Sequence, residues 1–290
     1  EFRRVLFRSS VELVPILKIS TPQSIAIFKS TVEQYVRGMP AALLVVEFAE
    51  DDHSENQRKL AELEKMMAGL GYGWDKPASA TGGLVCLSEP EDQARITEMR
   101  KSGLNIMMSM KDEAKPVSFV EDCAVELSDL AEYTDQLTQI FEKYGTTGTW
   151  YAHASVGCLH VRPVLNMKRG EDVAAMRGIA EEAFALVKRY GGSHSGEHGD
   201  GIARSEFNAV MFGSEMARLF TDVKRMFDPE NIMNPGKITN APKMDDRHLF
   251  RFAPAYRVDS FPTKLNWSAW PGAAGGLQGA VEMCRSEEHT

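Results

Sequence analysis

Between Thr149 and Gly201 the chain reads TWYAHASVGCLHVRPVLN, then a helical interval, then GGSHSGEHGDG. His153, His160, His194, Glu197 and His198 all fall here, so four of the seven histidines and a carboxylate share one short stretch. Neutral imidazole nitrogen and carboxylate oxygen are the donors a borderline divalent cation prefers. Two histidines with one glutamate form a catalytic zinc set that leaves a coordination position open. The chemistry implied is a metal site that takes a substrate. Spacing alone leaves the other reading open: the histidines can be hydrogen-bonded interior residues, and a glutamate in a glycine-rich loop can cap a turn.

The elements that must position these residues alternate between strand and helix. The run from Ala41 to Phe48 is short, apolar and β-rich, and Leu60, Leu63, Met66, Met67 and Leu70 recur at helical spacing over about 54–70. A strand is expected over Gly83–Leu87, and a helix opened by Ser88-Glu-Pro is expected to reach about Met99. A strand within Lys115–Val125 precedes a helix capped by Ser128 and ended by Gly145. Thr149 to Val164 reads as one or two strands with a turn at Gly157, and a long helix over about 171–190 stops at Gly191-Gly192. After Gly201 helices dominate, Gly213 to Met226 most clearly, followed by the turn-rich Phe227-Asp-Pro-Glu-Asn-Ile-Met-Asn-Pro-Gly-Lys237. The expected fold is α+β, an antiparallel or mixed sheet covered by helices.

The ends are set apart. Arg285 to Thr290 can be encoded by a DNA string whose reverse complement encodes Arg4 to Ser9, and that string resembles a sequencing adapter. Residues 1–9 and 285–290 are therefore expected to be adapter-like scars, flanking a substrate domain over 10–190, a C-terminal segment over 191–240 and a linker over 241–284.

Hydrophobic residues make up 43% of the chain and charged ones 26%, the balance of a soluble globular protein. A net charge of −8 argues against nucleic acid as a partner. Apolar runs such as Ala41 to Val46 fall far short of the roughly 20 residues a membrane span needs. Cys86, Cys123, Cys158 and Cys284 are scattered singles, which reads as reduced thiols and a cytoplasmic location.

Three motifs carry a family resemblance: His-Ala-x-x-Gly-x-Leu-His at 153–160, Ser195-Gly-Glu-His-Gly-Asp-Gly201, and Phe227-Asp-Pro-x-x-Ile-Met-Asn-Pro-Gly-Lys237. In this order, over about residues 40–240, the chain resembles the C-terminal domain of FAD-linked 2-hydroxy acid oxidoreductases. That family includes D-lactate dehydrogenases, glycolate oxidase subunits and D-2-hydroxyglutarate dehydrogenases. Phe119-Val-Glu-Asp and the Trp-Tyr-Ala-His-Ala-Ser-Val-Gly version of the first motif are similar to the long bacterial form, in which an iron-sulfur domain follows. Two departures stand out. Ser155-Val-Gly-Cys158 replaces the common Gly-Asp-Gly-Asn between the histidines, and Arg162 replaces an asparagine.

The resemblance implies a ferredoxin-like cap domain followed by a helical segment facing an FAD-binding domain that this chain lacks, with Asn234 lying toward the flavin. It implies a divalent metal, zinc being the expected one, held by His153, His160 and Glu197 and chelating the hydroxyl and carboxylate of a D-2-hydroxy acid. His198, next to a ligand but pointing elsewhere, is the implied general base. Arg100 is the implied clamp for a distal carboxylate. Cys284 would be the first ligand of an iron-sulfur cluster, with the electron acceptor beyond it unspecified. A metal-dependent hydrolase, a non-haem iron oxygenase, or a binding module inert by itself are the other readings of two histidines and one glutamate.

Overall fold

The computed structural model describes residues 8–13, 30–37, 42–73, 82–108, 112–254, 256, 263–267 and 276–283. The chain divides into two compact units, Glu1–Met110 and Lys111–Thr290.

In the first unit, strands β1 (Arg8–Leu13) and β2 (Ala42–Glu47) pair antiparallel, with Arg8 opposite Glu47 and Leu13 opposite Ala42. Two of the residues expected as scar, Arg8 and Ser9, thus lie in β1, while 1–7 and 285–290 fall outside the described residues. Helix α1 (His53–Gly69) starts at Asp52, whose carboxylate accepts the Ser54 N–H at 2.9 Å and satisfies one of the four orphan donors of a helix N-terminus. Helix α2 (Pro90–Met108) places proline at its first position, where the missing N–H costs nothing, and runs well past Met99. Residues 83–87, expected as a strand, take no regular structure. Their apolar pattern is insufficient without a ladder partner.

The second unit holds the hairpin of β5 (Gly148–His153) and β6 (Cys158–Leu165), in which Tyr151 faces His160 and His153 faces Cys158. Gly157, at φ 67°, makes the turn between them. A Cβ there would lie 1.9 Å from the Val125 carbonyl oxygen, so only glycine fits. The other edge of β6 pairs with two short strands, β3 (Lys115–Pro116) and β4 (Cys123–Ala124), again antiparallel. The strand expected within Lys115–Val125 is present as these two short pieces, because Pro116 lacks a donor and Asp122 turns left-handed at φ 81°.

Side chains alternate across this sheet with the period of two that a strand imposes. Ala152, Leu159 and Val161 are buried on one face, where Phe141 also meets Trp150, their ring centroids 5.9 Å apart. Helix α3 (Leu130–Lys143) presents Tyr133, Leu137 and Phe141 at four-residue spacing, all fully buried. It begins after Asp129 without the side-chain cap expected of Ser128 and ends at Gly145, φ 69°. Helix α4 (Gly170–Arg189) buries Val173, Met176, Ile179, Ala180, Ala183, Phe184, Leu186 and Val187 and stops before Gly191, φ 66°. Burying each large apolar side chain contributes about 1.5–3 kcal/mol. The opposite face of the hairpin carries Tyr151, His153, Cys158, His160 and Arg162, and this is the face the core leaves for chemistry.

Three helices follow, α5 (Gly201–Ser205), α6 (Asn208–Phe212) and α7 (Ser214–Phe227), and α8 (Gly276–Met283) is the last described element. The architecture is the α+β one expected, with β1–β2, β5–β6, β3–β6 and β4–β6 each paired antiparallel. Among the described residues no helix is long and apolar enough to cross a membrane. Cys86, Cys123 and Cys158 are free thiols, and Cys284 lies outside the described residues.

Candidate metal centre

The hairpin explains the seven-residue spacing of the first motif. Because Tyr151 pairs with His160 and His153 with Cys158, His153 and His160 stand on one face as diagonal neighbours. Their ring centroids are 5.0 Å apart at 84°. Tyr151 stacks on His160 at 5.5 Å and meets His153 edge-on at 5.6 Å, which fixes both ring planes.

Glu197 arrives from the glycine-rich loop after α4. Its Oε1 lies 2.9 Å from His160 Nε2, 3.4 Å from His153 Nε2 and 3.4 Å from His198 Nε2. Folding thus brings together all three residues expected to hold a cation. His198 does not point elsewhere: its ring lies on His160 with centroids 4.5 Å apart and planes 14° from parallel. The reason is that the Glu197 and His198 N–H groups both donate to one acceptor, the Asp122 carboxylate, which turns both side chains to the same side. Ligand atoms of Asp122, His160, Glu197 and His198 all lie within 4.8 Å of one another.

Whether these residues fit a cation is decided at His160. Its side chain is 8% exposed, and neither ring nitrogen has a hydrogen-bond partner, although Nε2 is only 2.9 Å from Glu197 Oε1. Buried polar atoms are nearly always satisfied. A nitrogen and a carboxylate oxygen this close but misaligned for a hydrogen bond are placed as two donors to one cation would be. Burial, then the neighbouring His198 and His153, push the His160 imidazole below its usual range, with Glu197 and Asp122 pulling weakly the other way. The neutral ring that results is the form that binds metal. His153, His198 and Glu197 are each a third to a half exposed, so the cluster is open on one side.

Cys158 sits on the same face. Burial, then the Asp122 carboxylate, push its thiol up to about 12, and the thiol donates to Asp122 Oδ1 at 3.4 Å. Around the cluster, Arg162 Nε donates to Glu121 Oε2 at 2.6 Å, and Glu121 Oε1 faces His198 Nδ1 at 3.6 Å. Burial pushes the Glu121 carboxyl up, but Arg162 and the Ser118 hydroxyl outweigh it and hold it below its ordinary value.

His194 is fully buried, edge-on to Phe184 at 5.3 Å, with Nε2 3.7 Å from Asp200 Oδ1. Arg100 lies partly buried on α2 of the first unit. Asn234 is exposed at φ 48° in a turn that also holds Gly236 at φ 73° and Ile238 at φ 64°. Sequence reasoning passed over Asp122, Glu121 and Arg204. The available signal was an acidic pair inside the apolar run Phe119-Val-Glu-Asp-Cys-Ala-Val125, since carboxylates rarely enter such a run without partners.

Residues 12–238 match the family described as FAD linked oxidases, C-terminal domain. The chain belongs to this family. The match starts well before residue 40 and takes in β2, α1 and the three motifs. Among curated relatives, D-2-hydroxyglutarate dehydrogenase of Pantoea ananatis is 34% identical over 196 residues, which cover 68% of this chain and 19% of that protein. The enzyme of the same name from Escherichia coli K12 is 33% identical over 222 residues, covering 75% and 20%. Glycolate oxidase subunit GlcD of Bacillus subtilis is 28% identical over 155 residues, covering 53% and 32%. The chain spans about a fifth of the length of the first two. A crystal structure of p-cresol methylhydroxylase with substrate bound aligns over 79% of this chain and 46% of that one, at 15% identity and a TM-score of 0.49.

Proposed function

We propose that this chain is the substrate-side module of an FAD-linked oxidoreductase that oxidises a D-2-hydroxy acid, 2-hydroxyglutarate-like or lactate-like, to the 2-oxo acid. The observation that carries the proposal is the convergence of His153, His160 and His198 on one oxygen of Glu197, in a family of FAD-linked oxidases. His153, His160 and Glu197 are the residues that would hold a divalent cation, zinc by the chemistry of the donor set. When bound, such a cation supplies Lewis acidity toward adjacent hydroxyl and carboxylate oxygens. The flavin of an adjoining domain supplies the hydride acceptor.

The protein's own part is proton handling and orientation. His198 Nε2 is assigned the substrate hydroxyl proton. Glu121 faces its Nδ1 and is itself held by Arg162, the arrangement in which a base is oriented by a third group. Arg100 as clamp for a distal carboxylate rests on the family resemblance, and Arg100→Lys reads it out by keeping charge while removing bidentate pairing. The segment 191–240 is assigned to the side facing the flavin domain. Met216, Leu219, Val223, Met226 and Phe227 form an exposed apolar stripe on α7 that suits a protein neighbour, and Asn234 follows it directly. An iron-sulfur domain beyond residue 284 completes the proposal as the electron outlet.

The test uses the purified 290-residue chain. It is expected to bind Zn2+ or Mn2+ in calorimetry and, once loaded, to bind D-2-hydroxyglutarate or D-lactate. It is expected to reduce no dye, because the hydride acceptor belongs to another domain. Absence of divalent-ion binding, or turnover of a hydroxy acid without flavin, overturns the reading.

A further inference from the structure

We propose that Asp122 is the positioning residue of this site, setting Glu197 and His198 over the hairpin imidazoles without binding the cation itself. The inference rests on the proposed metal site and adds the residue that builds it.

Asp122 is fully buried and left-handed at φ 81°, a conformation that costs a non-glycine residue about 1–3 kcal/mol unless its surroundings impose it. Aspartate is among the few side chains that tolerate it. What imposes it is the 193–199 loop. The Gly196 N–H donates to the Asp122 carbonyl at 2.7 Å, and Ala124 and Ser193 exchange both backbone bonds at 2.9 Å. The Asp122 carboxylate then receives the Glu197 N–H at 2.9 and 3.0 Å, the His198 N–H at 2.8 Å, and the Ser195 hydroxyl and Cys158 thiol at 3.4 Å each. Arg204 Nη2 stands 3.6 Å from Oδ2, and the same guanidinium donates to the carbonyls of Glu121 and Gly199.

Counting lone pairs separates the two roles open to Asp122. A carboxylate offers about four acceptor sites, and here donors from Glu197, His198, Ser195 and Cys158 occupy them, with Arg204 adding its charge. Proximity to His160, Glu197 and His198 would allow Asp122 to be a ligand, but its oxygens are committed to the loop. Glu197 and His198 are adjacent residues whose side chains would ordinarily diverge. Anchoring both N–H groups on one carboxylate is what brings both to the same cation-facing side. Gly196 permits this approach: a Cβ there would meet Cys158 Sγ at 3.0 Å, the Asp122 carbonyl at 3.1 Å and Oδ1 at 3.3 Å.

The test compares the full chain with Asp122→Asn and Gly196→Ala. The first replaces an acceptor by a group that also donates; the second leaves Asp122 intact and pushes the loop away from it. Affinity for Zn2+ or Co2+ is read by competition with a chromophoric chelator, and amide exchange at Glu197 and His198 is read by NMR without metal. Both variants should lose roughly 10- to 100-fold in affinity, the usual effect of removing an outer partner. The Glu197 and His198 amides should lose protection while β5 and β6 amides keep theirs. The Co2+ spectrum of Asp122→Asn should keep the coordination number of the unmodified chain. Unchanged affinity and protection in a folded Asp122→Asn protein overturns the inference, as does a changed coordination number, which would make Asp122 a ligand. If the unmodified chain binds no divalent ion, the metal reading falls, and the exchange data still decide whether Asp122 holds the loop. Should Asp122→Asn not fold, Gly196→Ala carries both readouts.

Discussion

Glu197 Oε1 and His160 Nε2 lie 2.9 Å apart with no hydrogen bond between them, because the ring N–H direction misses the oxygen. A donor and an acceptor that close would pair if the site were complete by itself. The misalignment is what a shared cation would produce, and removing either partner should therefore act on affinity before it acts on the fold. Outer partners of a ligand are worth roughly 10–100-fold in metal affinity, so Glu197→Gln, which removes a ligand, should cost at least about a hundredfold. His160→Ala should do the same. A chelator-competition titration in which Glu197→Gln binds Zn2+ as tightly as the unmodified chain removes Glu197 from the ligand set.

Metal binding of this kind must also show in stability. An ion that binds the folded chain and not the unfolded one stabilises it by about 2.7 kcal/mol at a hundredfold excess over its Kd. Adding Zn2+ should raise the melting temperature, a chelator should reverse the rise, and Glu197→Gln should show neither effect. Equal shifts in the two proteins would mean that the ion binds somewhere other than the hairpin face.

Much of this arrangement was legible in the chain itself. The helices α1, α3, α4 and α7 announce themselves by apolar spacing, and Gly145, Gly157 and Gly191 stop or turn the chain where left-handed backbone is needed. The pairing of His153 with His160 follows once Gly157 is read as a hairpin turn, since a seven-residue separation across it leaves both on one face. The distant half of the site was less legible. Nothing in GGSHSGEHGDG says that a carboxylate seventy-odd residues earlier receives its amides, since Asp122 acts through backbone groups that leave no side-chain pattern. For the same reason the orientation of His198 was misjudged: adjacent side chains diverge in regular structure, and here a buried acceptor overrides that. The strand expected over 83–87 failed on partnership, which periodicity does not report.

The core beneath the site can be weakened apart from the chemistry. Leu137 on α3 is fully buried and lies outside the cluster's own elements. Leu137→Ala should cost about 2–5 kcal/mol, the range for a buried leucine truncated to a cavity. Urea unfolding should show it as a lower midpoint with unchanged slope, and Zn2+ affinity of the folded fraction should stay as it was. A loss well below about 2 kcal/mol, the lower end of that range, would mean that α3 is not packed on the hairpin.

Gly157 couples fold and site directly. Alanine there faces both a left-handed backbone and a carbonyl oxygen at 1.9 Å, so the hairpin turn must open or shift away from Val125. A destabilisation of about 3 kcal/mol is expected, the sum of a strained conformation and a steric displacement. Because the turn sets the register that aligns His153 with Cys158, Gly157→Ala should also lose Zn2+ affinity in the protein that remains folded. Retained affinity would show that the two imidazoles are placed by something other than this turn.

Asp228 supplies the pH-dependent element of the segment after α7. The residue is buried, and its carboxylate pairs with Lys224 and accepts the N–H groups of Ile232 and Met233 at 3.0 Å each. The Lys224 hydrogen bond first, and those two backbone bonds after it, outweigh burial and hold the carboxyl below its ordinary value. A carboxylate whose folded pKa is depressed contributes stability that is fully present above its unfolded pKa, about 3.9, and that is lost as pH falls through the lower folded value. The turn over 228–233 should therefore be intact at neutral pH and loosen only in acid below about 4. Asp228→Asn keeps the shape and removes the charge. At pH 7 it should lower hydrogen-exchange protection of the Ile232 and Met233 amides relative to the unmodified chain, and at strongly acid pH the two proteins should converge. A difference that persists undiminished down to pH 2 would mean that the carboxylate's charge is not what holds this turn.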